Sequence, residues 1–125
     1  MKIPDWVHNE QKWKKDCRRL RALALRIVQE AESVIEGSRK MCRYRFWMKE
    51  EENQDFDIFV LVSSCTDHLP AGSERQLWAT TALRKKDKEI QEAESFYRDD
   101  VMRSAQKIYD QYNSYIEQFC SEGKG

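Results

Sequence analysis

The chain has 125 residues, enough for a single domain with a modest core. Charged residues make up 35% of it, and it contains only four Gly and two Pro, a composition that favours long solvated helices. The 22 basic and 22 acidic side chains cancel, which argues against a nucleic acid or a membrane held by overall charge.

The charges are unevenly distributed along the chain. Residues 12–45 carry 11 Lys and Arg against four Asp and Glu, a surplus of seven positive charges, whereas the remainder has 11 basic and 18 acidic residues. We expect the two regions either to attract each other within the fold or to present oppositely charged faces to a partner.

The four cysteines give no sign of a metal site or a disulfide framework. They are widely spaced, with no Cys-x-x-Cys pair and no His cluster, and no secretory signal is evident. Reduced thiols, a cytoplasmic location and no cofactor are therefore expected. The longest apolar run, residues 58–62, is too short to cross a bilayer, so no membrane contact is expected.

Helical periodicity begins near the N-terminus. Asp5 is the predicted N-cap of a helix over residues 6–36. Gly37-Ser38 offers a C-cap or a new helix start, but we favour a helix that continues through Gly37 to about residue 48 with a bend at the glycine. One face of this helix is apolar and is predicted to pack on a neighbouring helix. The residues of that face recur seven apart in two series: Trp6, Trp13, Leu20, Ile27 and Val34, and Cys17, Ala24 and Ala31.

A second long helix is predicted within residues 81–122, a stretch that contains no Gly or Pro, with Thr80 or Thr81 as its N-cap. About 38 helical residues would extend roughly 57 Å and need a partner of similar length. We therefore predict an all-α fold, two long antiparallel helices with a short helical or irregular insertion packed against them, in a single domain over residues 1–125. The predicted apolar stripe, interrupted at Glu94, contains Ile90, Tyr97, Val101, Ala105, Ile108, Tyr112, Tyr115 and Phe119.

The insertion between the two long helices has two parts. Residues 50–57 are acidic and typical of a loop, whereas residues 56–62 are rich in β-branched and aromatic side chains that favour a strand. Because the chain offers no second strand to pair with, a short buried helix or an extended covering segment is the preferred interpretation. Further on, Ser73 and Gln76 form a capping-box pattern that predicts a short helix carrying Leu77 and Trp78.

A turn-rich segment brings Asp67, His68 and Arg75 close together in the sequence. In a catalytic interpretation, Asp67 or His68 is the acid/base and Arg75 holds an anion. In the structural interpretation, which we prefer, the Asp and His side chains satisfy turn backbone groups and Arg75 pairs with a core acid such as Glu94. No nucleophile motif, second nearby histidine or phosphate-binding glycine loop supports catalysis, so we expect no enzymatic activity.

Basic residues flank the apolar face of the first helix on both sides. Phosphates could bind there, with Trp13, Tyr44 or Trp47 stacking on bases. The zero net charge and the regular placement of Trp13 on the apolar face argue against this nucleic-acid alternative. The basic residues are Lys14, Arg18 and Arg21 on one side, and Lys15, Arg19 and Arg26 on the other.

A pattern between residues 55 and 94 is similar to that of a known family. The matching residues are Asp55-Phe56, Phe59-Val60, Thr66-Asp67-His68-Leu69-Pro70, Gly72, Arg75, Trp78, Ala82-Leu83, Lys86-Asp87, Glu89-Ile90 and Glu94. In these positions the chain resembles an uncharacterised family of small bacterial proteins, defined only as a domain of unknown function. The resemblance implies a helical cytosolic protein and brings no activity, cofactor or catalytic residue. Residues 61–65 depart from it, since a more polar segment is expected there.

Together these patterns favour a non-enzymatic protein-binding module. One concrete version is an immunity protein that neutralises a toxin, because such proteins are small, cytosolic and free of cofactors. Residues 6–36 alone would form roughly 46 Å of helix against roughly 57 Å for the second helix, and this mismatch also favours an antiparallel homodimer. The alternatives are a small hydrolase-like enzyme and a nucleic-acid-binding helical hairpin. The residues predicted to face a partner are Asp67, His68 and Arg75 with Glu51 and Asp55 of the acidic loop, or Arg18 and Arg19 of the basic helix.

Overall fold

The structure is a computed structural model that describes residues 3–70, Arg75 and residues 78–122. The described residues form four α-helices and one short 3-10 helix, with no strand among them. The predicted all-α fold is confirmed. The elements are α1 (Glu10–Val28), α2 (Val34–Trp47), a 3-10 helix (Gln54–Phe56), α3 (Asp57–Cys65) and α4 (Thr80–Glu122).

The long C-terminal helix is confirmed with nearly the predicted bounds. Its 43 residues extend about 64 Å at 1.5 Å per residue. Helix α1 runs antiparallel to it, because Trp13 packs edge-to-face on Phe119 with ring centroids 6.1 Å apart, while Arg21 donates to Asn113 at 2.9 Å. The C-terminal half of α4 is therefore covered by α1, as the predicted antiparallel pair requires.

The first helix differs from the prediction at its start. It begins at Glu10 and not at Trp6, and its N-cap is Asn9, whose side chain accepts a hydrogen bond from the Lys12 amide at 3.0 Å. Asp5 caps nothing in this helix, so that prediction is wrong. Because residues 3–9 are not helical, Trp6 does not continue the apolar face of α1, and the centre of its ring lies 6.0 Å from Nζ of Lys49 instead.

The predicted bend at Gly37 is also wrong, because the chain breaks at residues 29–33. The Ala31 amide donates to the Arg26 carbonyl at 2.8 Å and the Glu30 amide to the Ile27 carbonyl at 3.1 Å. This pair of bonds is a Schellman motif, with Glu30 in its left-handed position at φ 58°. Ser33 then begins α2 by accepting the Glu36 amide at 3.0 Å.

Gly37 lies inside α2 and allows that helix to approach α1 closely. A Cβ atom at this position would lie 2.9 Å from Cγ1 of Ile27 and 3.0 Å from its Cδ1. Ile27 is buried, so the space beside the glycine is filled by a core side chain. The glycine is therefore required by helix packing and not by a change in chain direction.

Residues 57–65 form helix α3, which confirms the preference for a helix over a strand. Phe59 and Val62 are fully buried, and Phe56 of the preceding 3-10 helix packs on Phe59 with ring centroids 6.1 Å apart. Hydrophobic burial therefore outweighs the strand propensity of the segment, since the described part of the chain has no second strand to pair with it. The predicted capping box at Ser73 and Gln76, and Leu77, lie outside the described residues.

One hydrophobic core joins all four helices. The predicted apolar faces supply most of it, although Ala31 is exposed and Val34 contributes from α2. The buried members from α1 are Trp13, Cys17, Leu20, Leu23, Ala24 and Ile27, and those from α4 are Val101, Ala105, Ile108, Tyr112, Ile116 and Phe119.

Candidate functional site

The segment after α3 is fixed by an arginine that the sequence did not single out. The Arg39 guanidinium, from α2, donates to the carbonyl oxygens of Thr66 at 2.7 Å and Leu69 at 2.9 Å. Both carbonyls belong to the turn that follows α3, and both residues are buried. This clamp sets the position of the two residues between them, Asp67 and His68.

His68 lies at the surface and faces the N-terminal half of α4. Its Nε2 is 3.2 Å from Oε2 of Glu89, and its Nδ1 is 4.0 Å from Oδ1 of Asp67. The three side chains are all largely exposed, so solvent screens their interaction. His68 therefore bridges the turn to α4 at the solvent-exposed surface of the protein.

Arg75 makes a different contact from the predicted one. It donates to both carboxylate oxygens of Asp87, at 2.6 and 3.2 Å, and to the Pro70 carbonyl at 3.1 Å. The hydrogen bonds from Arg75 hold the pKa of Asp87 below its usual range. The predicted pairing of Arg75 with Glu94 is therefore wrong, and Arg75 fastens the turn to the first part of α4.

An open groove lies between this turn, the end of α3 and α4; we call it the Phe96 groove. Its cavity volume is about 350 Å³. Phe96 is 76% exposed, more than any other large apolar side chain among the described residues. Asp67, His68 and Arg75 were predicted to form one site, but among the described residues only His68 of these three lines the groove. The lining residues are Cys65, Thr66, His68, Leu69, Glu89, Glu92, Ala93, Phe96 and Tyr97.

One wall of the Phe96 groove is held by aromatic and thiol contacts. The rings of Phe96 and Tyr97 meet edge to face at 4.9 Å. A hydrogen bond with the Cys65 side chain, together with partial burial, raises the pKa of the Tyr97 phenol. Sequence periodicity did not single out Phe96, although a large aromatic residue beside the apolar stripe of a long helix is a signal that could have found it.

The acidic loop, residues 50–57, packs against the C-terminal half of α4. The side chain amide of Asn53 donates to Glu50 at 2.7 Å and to Gln111 at 3.0 Å. Asp55 lies in this contact between the loop and α4, with its carboxylate 4.0 Å from Nζ of Lys107. Glu51 is exposed, and its carbonyl accepts a hydrogen bond from Arg45 at 3.1 Å. The loop therefore does not adjoin the Phe96 groove. Of its two residues predicted to face a partner, Glu51 is exposed to solvent, whereas Asp55 is partly buried against α4.

The two predicted arginines of α1 point in different directions. Arg18 lies over the Phe119 ring at 5.1 Å and donates to Sγ of Cys120 at 3.8 Å. Arg19 is 3.9 Å from Asp16 and lines a separate cavity at the N-terminal end of α1. The basic residues of the first helix thus do not form one continuous surface, because α4 engages those on one side.

This second cavity, which we call the tryptophan cavity, has a volume of about 580 Å³. It lies between residues 6–9, the first turns of α1 and the end of α2. The sequence assigned Trp6 and Trp13 to a packed face and did not predict the cavity. Its lining residues are Trp6, Val7, His8, Asn9, Lys12, Trp13, Asp16, Arg19, Trp47, Met48 and Lys49.

Within residues 3–70, Arg75 and 78–122, no group of three or more His, Cys, Asp or Glu side chains is placed to hold a metal ion. None of the described helices combines the length and apolar character that crossing a membrane requires. Comparison with protein-family models, with curated proteins and with solved structures finds no match to this chain. The resemblance between residues 55 and 94 and a family of unknown function stays a prediction.

Proposed function

We propose that this chain is a non-enzymatic protein-binding module whose partner docks on the Phe96 groove. The observation that carries the proposal is the exposure of Phe96 in an open groove rimmed by polar side chains. Aromatic anchors surrounded by a polar rim dominate the binding energy of protein interfaces. Phe96 keeps most of its ring in water apart from its edge-to-face contact with Tyr97, so its burial contributes little to the stability of the free chain.

The charge of the rim favours a partner with basic side chains. Glu89 and Glu92 line the groove, and the exposed carboxylate of Asp67 lies beside it. The described lining residues include no Lys or Arg. Complementary charges would raise the association rate more than the affinity, and their effect would decrease with salt.

The groove is also rigidly supported, which favours binding. Arg39 holds the turn after α3, and Arg75 fastens it to α4. Fewer side chains and backbone segments then need to be ordered when a partner docks, so less of the interaction energy is lost. An immunity protein that covers a basic surface of a toxin is the concrete form of this proposal.

The proposal is tested with two phenylalanines of nearly equal exposure. Phe96 is 76% exposed in the groove, and Phe46 is 71% exposed at the end of α2. Tagged wild-type, Phe96→Ala and Phe46→Ala chains are used to capture partners from the native cell, and a captured protein is then purified and titrated against each. We expect Phe96→Ala to weaken binding about 30-fold or more, the effect of losing a hot spot, and Phe46→Ala to change it little.

The same titrations contain the result that would contradict the proposal. Equal binding by Phe96→Ala and the wild type would place the interface elsewhere. Light scattering of the wild type provides a further check, because a dimer that Phe96→Ala dissociates would identify a second copy of this chain as the occupant. A monomer that captures nothing would leave the groove without a protein partner and exclude the toxin version.

A further inference from the structure

We propose that the tryptophan cavity binds a planar aromatic molecule that carries a negative charge, a carboxylate or a phosphate. This site is separate from the Phe96 groove and does not depend on the function proposed for that groove. Among the described lining residues, none belongs to both sites. The argument rests on the shape of the cavity, its aromatic walls and its charge.

The cavity has the size and walls of a small-molecule site. Its volume of about 580 Å³ lies within the range of roughly 300–1,000 Å³ typical of ligand pockets. Trp13 is buried and forms part of the packed wall, against Phe119. Trp6 and Trp47 are less buried and approach from the N-terminal segment and from the end of α2. Indole faces on two separate elements are suited to a flat aromatic ring.

Trp47 is oriented but not buried, and packing alone does not explain its position. It is 55% exposed, yet its ring meets the Tyr44 ring edge to face at 5.5 Å. A hydrophobic side chain whose only role is core packing would lose most of its water contact. An indole held in place while its surface stays open is instead preorganised for a ligand.

The charge of the cavity selects an anion. Among the described lining residues, three are basic, Lys12, Arg19 and Lys49, and one is acidic, Asp16, which is an excess of two positive charges. Asp16 lies 3.9 Å from Arg19 and offsets part of its charge, whereas neither lysine is paired with an acid that lines the cavity. Carboxylates and phosphates are the groups that such lysine and arginine side chains bind.

Lys49 is placed at the cavity by the end of α2. It occupies the left-handed position of a Schellman motif at φ 50°, where the Glu50 amide donates to the Arg45 carbonyl at 2.8 Å. Glycine is the usual residue there. The Nζ atom of Lys49 lies 6.0 Å from the centre of the Trp6 ring, a cation–π distance. A lysine retained in a backbone conformation that costs energy is consistent with a role for its charge at the cavity.

The confinement of these groups to one cavity also favours a small molecule over a nucleic acid strand. Single-stranded nucleic acids bind along extended basic grooves on which successive bases stack. Here the exposed indole and the cations converge on one cavity, and Arg18 on the opposite side of α1 is engaged by α4. The geometry accommodates one aromatic ring with its charged substituent.

The test uses a fluorescent aromatic anion, 8-anilinonaphthalene-1-sulfonate, and its neutral analogue N-phenyl-1-naphthylamine. We expect the anion to saturate one site and the neutral probe to bind at least about tenfold more weakly, since it lacks the attraction to the cations. Trp47→Ala should weaken binding about tenfold through lost stacking, whereas the adjacent Phe46→Ala should change it less than about twofold. Arg19→Ala should weaken it about threefold or more, and the matched Lys15→Ala should leave it unchanged.

Competition separates the two ligand classes. Adenosine monophosphate that displaces the probe would support a phosphate, and indole-3-acetate that displaces it would support a carboxylate. If neither competes, or if both probes bind equally, or if Trp47→Ala and Arg19→Ala bind like the wild type, the proposal is wrong. Circular dichroism of each variant verifies that the fold is retained. Failure here leaves the Phe96→Ala experiment unaffected, because the described linings of the two sites have no residue in common.

Discussion

The carboxylate of Glu94 accepts the backbone amide of Val34 at 2.6 Å and that of Ile35 at 3.4 Å. Glu94 occupies the one position where the apolar stripe of α4 is interrupted. The first amides of an α-helix have no partner within the helix, and the helix dipole makes that end positive. The interruption therefore lets α4 cap α2 and fixes where the second helix begins.

Removing this cap should destabilise the protein. We expect Glu94→Ala to lower the free energy of unfolding by about 1–2 kcal/mol, the usual effect of losing a helix cap or a charged hydrogen bond. Glu92→Ala, an exposed acid on the same helix, should stay within about 0.5 kcal/mol of the wild type. Urea unfolding followed by circular dichroism measures both, and equal stability of the two variants would contradict this role for Glu94.

The contact between Gly37 and Ile27 predicts that alanine is harmful in the middle of α2. Helix propensity favours Gly37→Ala by about 1 kcal/mol. The new Cβ would meet buried Ile27 atoms at 2.9 and 3.0 Å, and such overpacking costs about 1–3 kcal/mol. We expect a net loss of stability in thermal unfolding. In a double-mutant cycle with Ile27→Ala the two changes should be less than additive, because truncation of Ile27 provides the space.

The helices that could be predicted from the sequence are those whose residue pattern continues along the whole element. Helix α4 follows from an apolar stripe with no Gly or Pro to stop it, and α3 follows because its strand propensity had no pairing partner. The break between α1 and α2 was missed because Ile27 and Val34 keep the seven-residue spacing on either side of it. Ser33 and Glu36 form a capping-box pattern that could have located the new start, but a glutamate in the left-handed position gives no such signal.

Side-chain partners across the fold were harder to predict than helices. Arg75 pairs with Asp87 and not with Glu94. Which acid it reaches depends on where the turn after α3 meets α4, and the position of that turn is fixed by the hydrogen bonds from Arg39 to its backbone carbonyls. Neither contact leaves a pattern in the spacing of residues. Both cavities were missed for a related reason: each joins three separate elements, so helical periodicity describes only one wall at a time.

The four cysteines should differ strongly in reactivity. Burial raises the pKa of Cys17 to about 12, so the unreactive thiol form persists well above neutral pH. Cys65 and Cys120 are exposed. We expect a disulfide reagent at pH 8 to label Cys65 and Cys120 rapidly and Cys17 only after denaturation, with peptide mass spectrometry assigning the sites. Early labelling of Cys17 in the folded protein would contradict the described core.

Glu32 predicts a loss of stability in acid. Partial burial opposes its ionisation, but hydrogen bonds from Lys40 at 2.8 Å and Arg26 at 3.4 Å hold its pKa below the usual range. A carboxyl group whose pKa is lowered by folding stabilises the protein above the pKa of the unfolded chain, about 4.3, and the effect is lost as pH falls through the folded value.

Glu32→Gln should therefore be less stable than the wild type at pH 7, by about 0.5–1 kcal/mol because both cations are partly exposed and screened. The difference should shrink when urea unfolding is repeated toward pH 3. Glu36→Gln, which changes the same kind of side chain four residues further on, in the first turn of α2, provides the comparison. A difference between Glu32→Gln and the wild type that does not change with pH would show that the ion pairs do not stabilise the fold.

The left-handed residues Glu30 and Lys49 allow stability and ligand binding to be separated. Each occupies the glycine-favouring position of a Schellman motif, at φ 58° and 50°. Replacing either by Gly should raise the free energy of unfolding by about 1 kcal/mol, since the left-handed conformation is costly for residues with a Cβ. Glu30 would lose only an exposed contact with Arg98 at 3.5 Å, which contributes little.

Only one of the two substitutions should affect the tryptophan cavity. Lys49→Gly removes a cation that lines it, so we expect the affinity for 8-anilinonaphthalene-1-sulfonate to fall about threefold or more while stability rises. Glu30→Gly should stabilise the protein and leave probe binding unchanged, because Glu30 lies at the other helix break. A Lys49→Gly chain that is more stable and binds the probe as tightly as the wild type would remove Lys49 from the site.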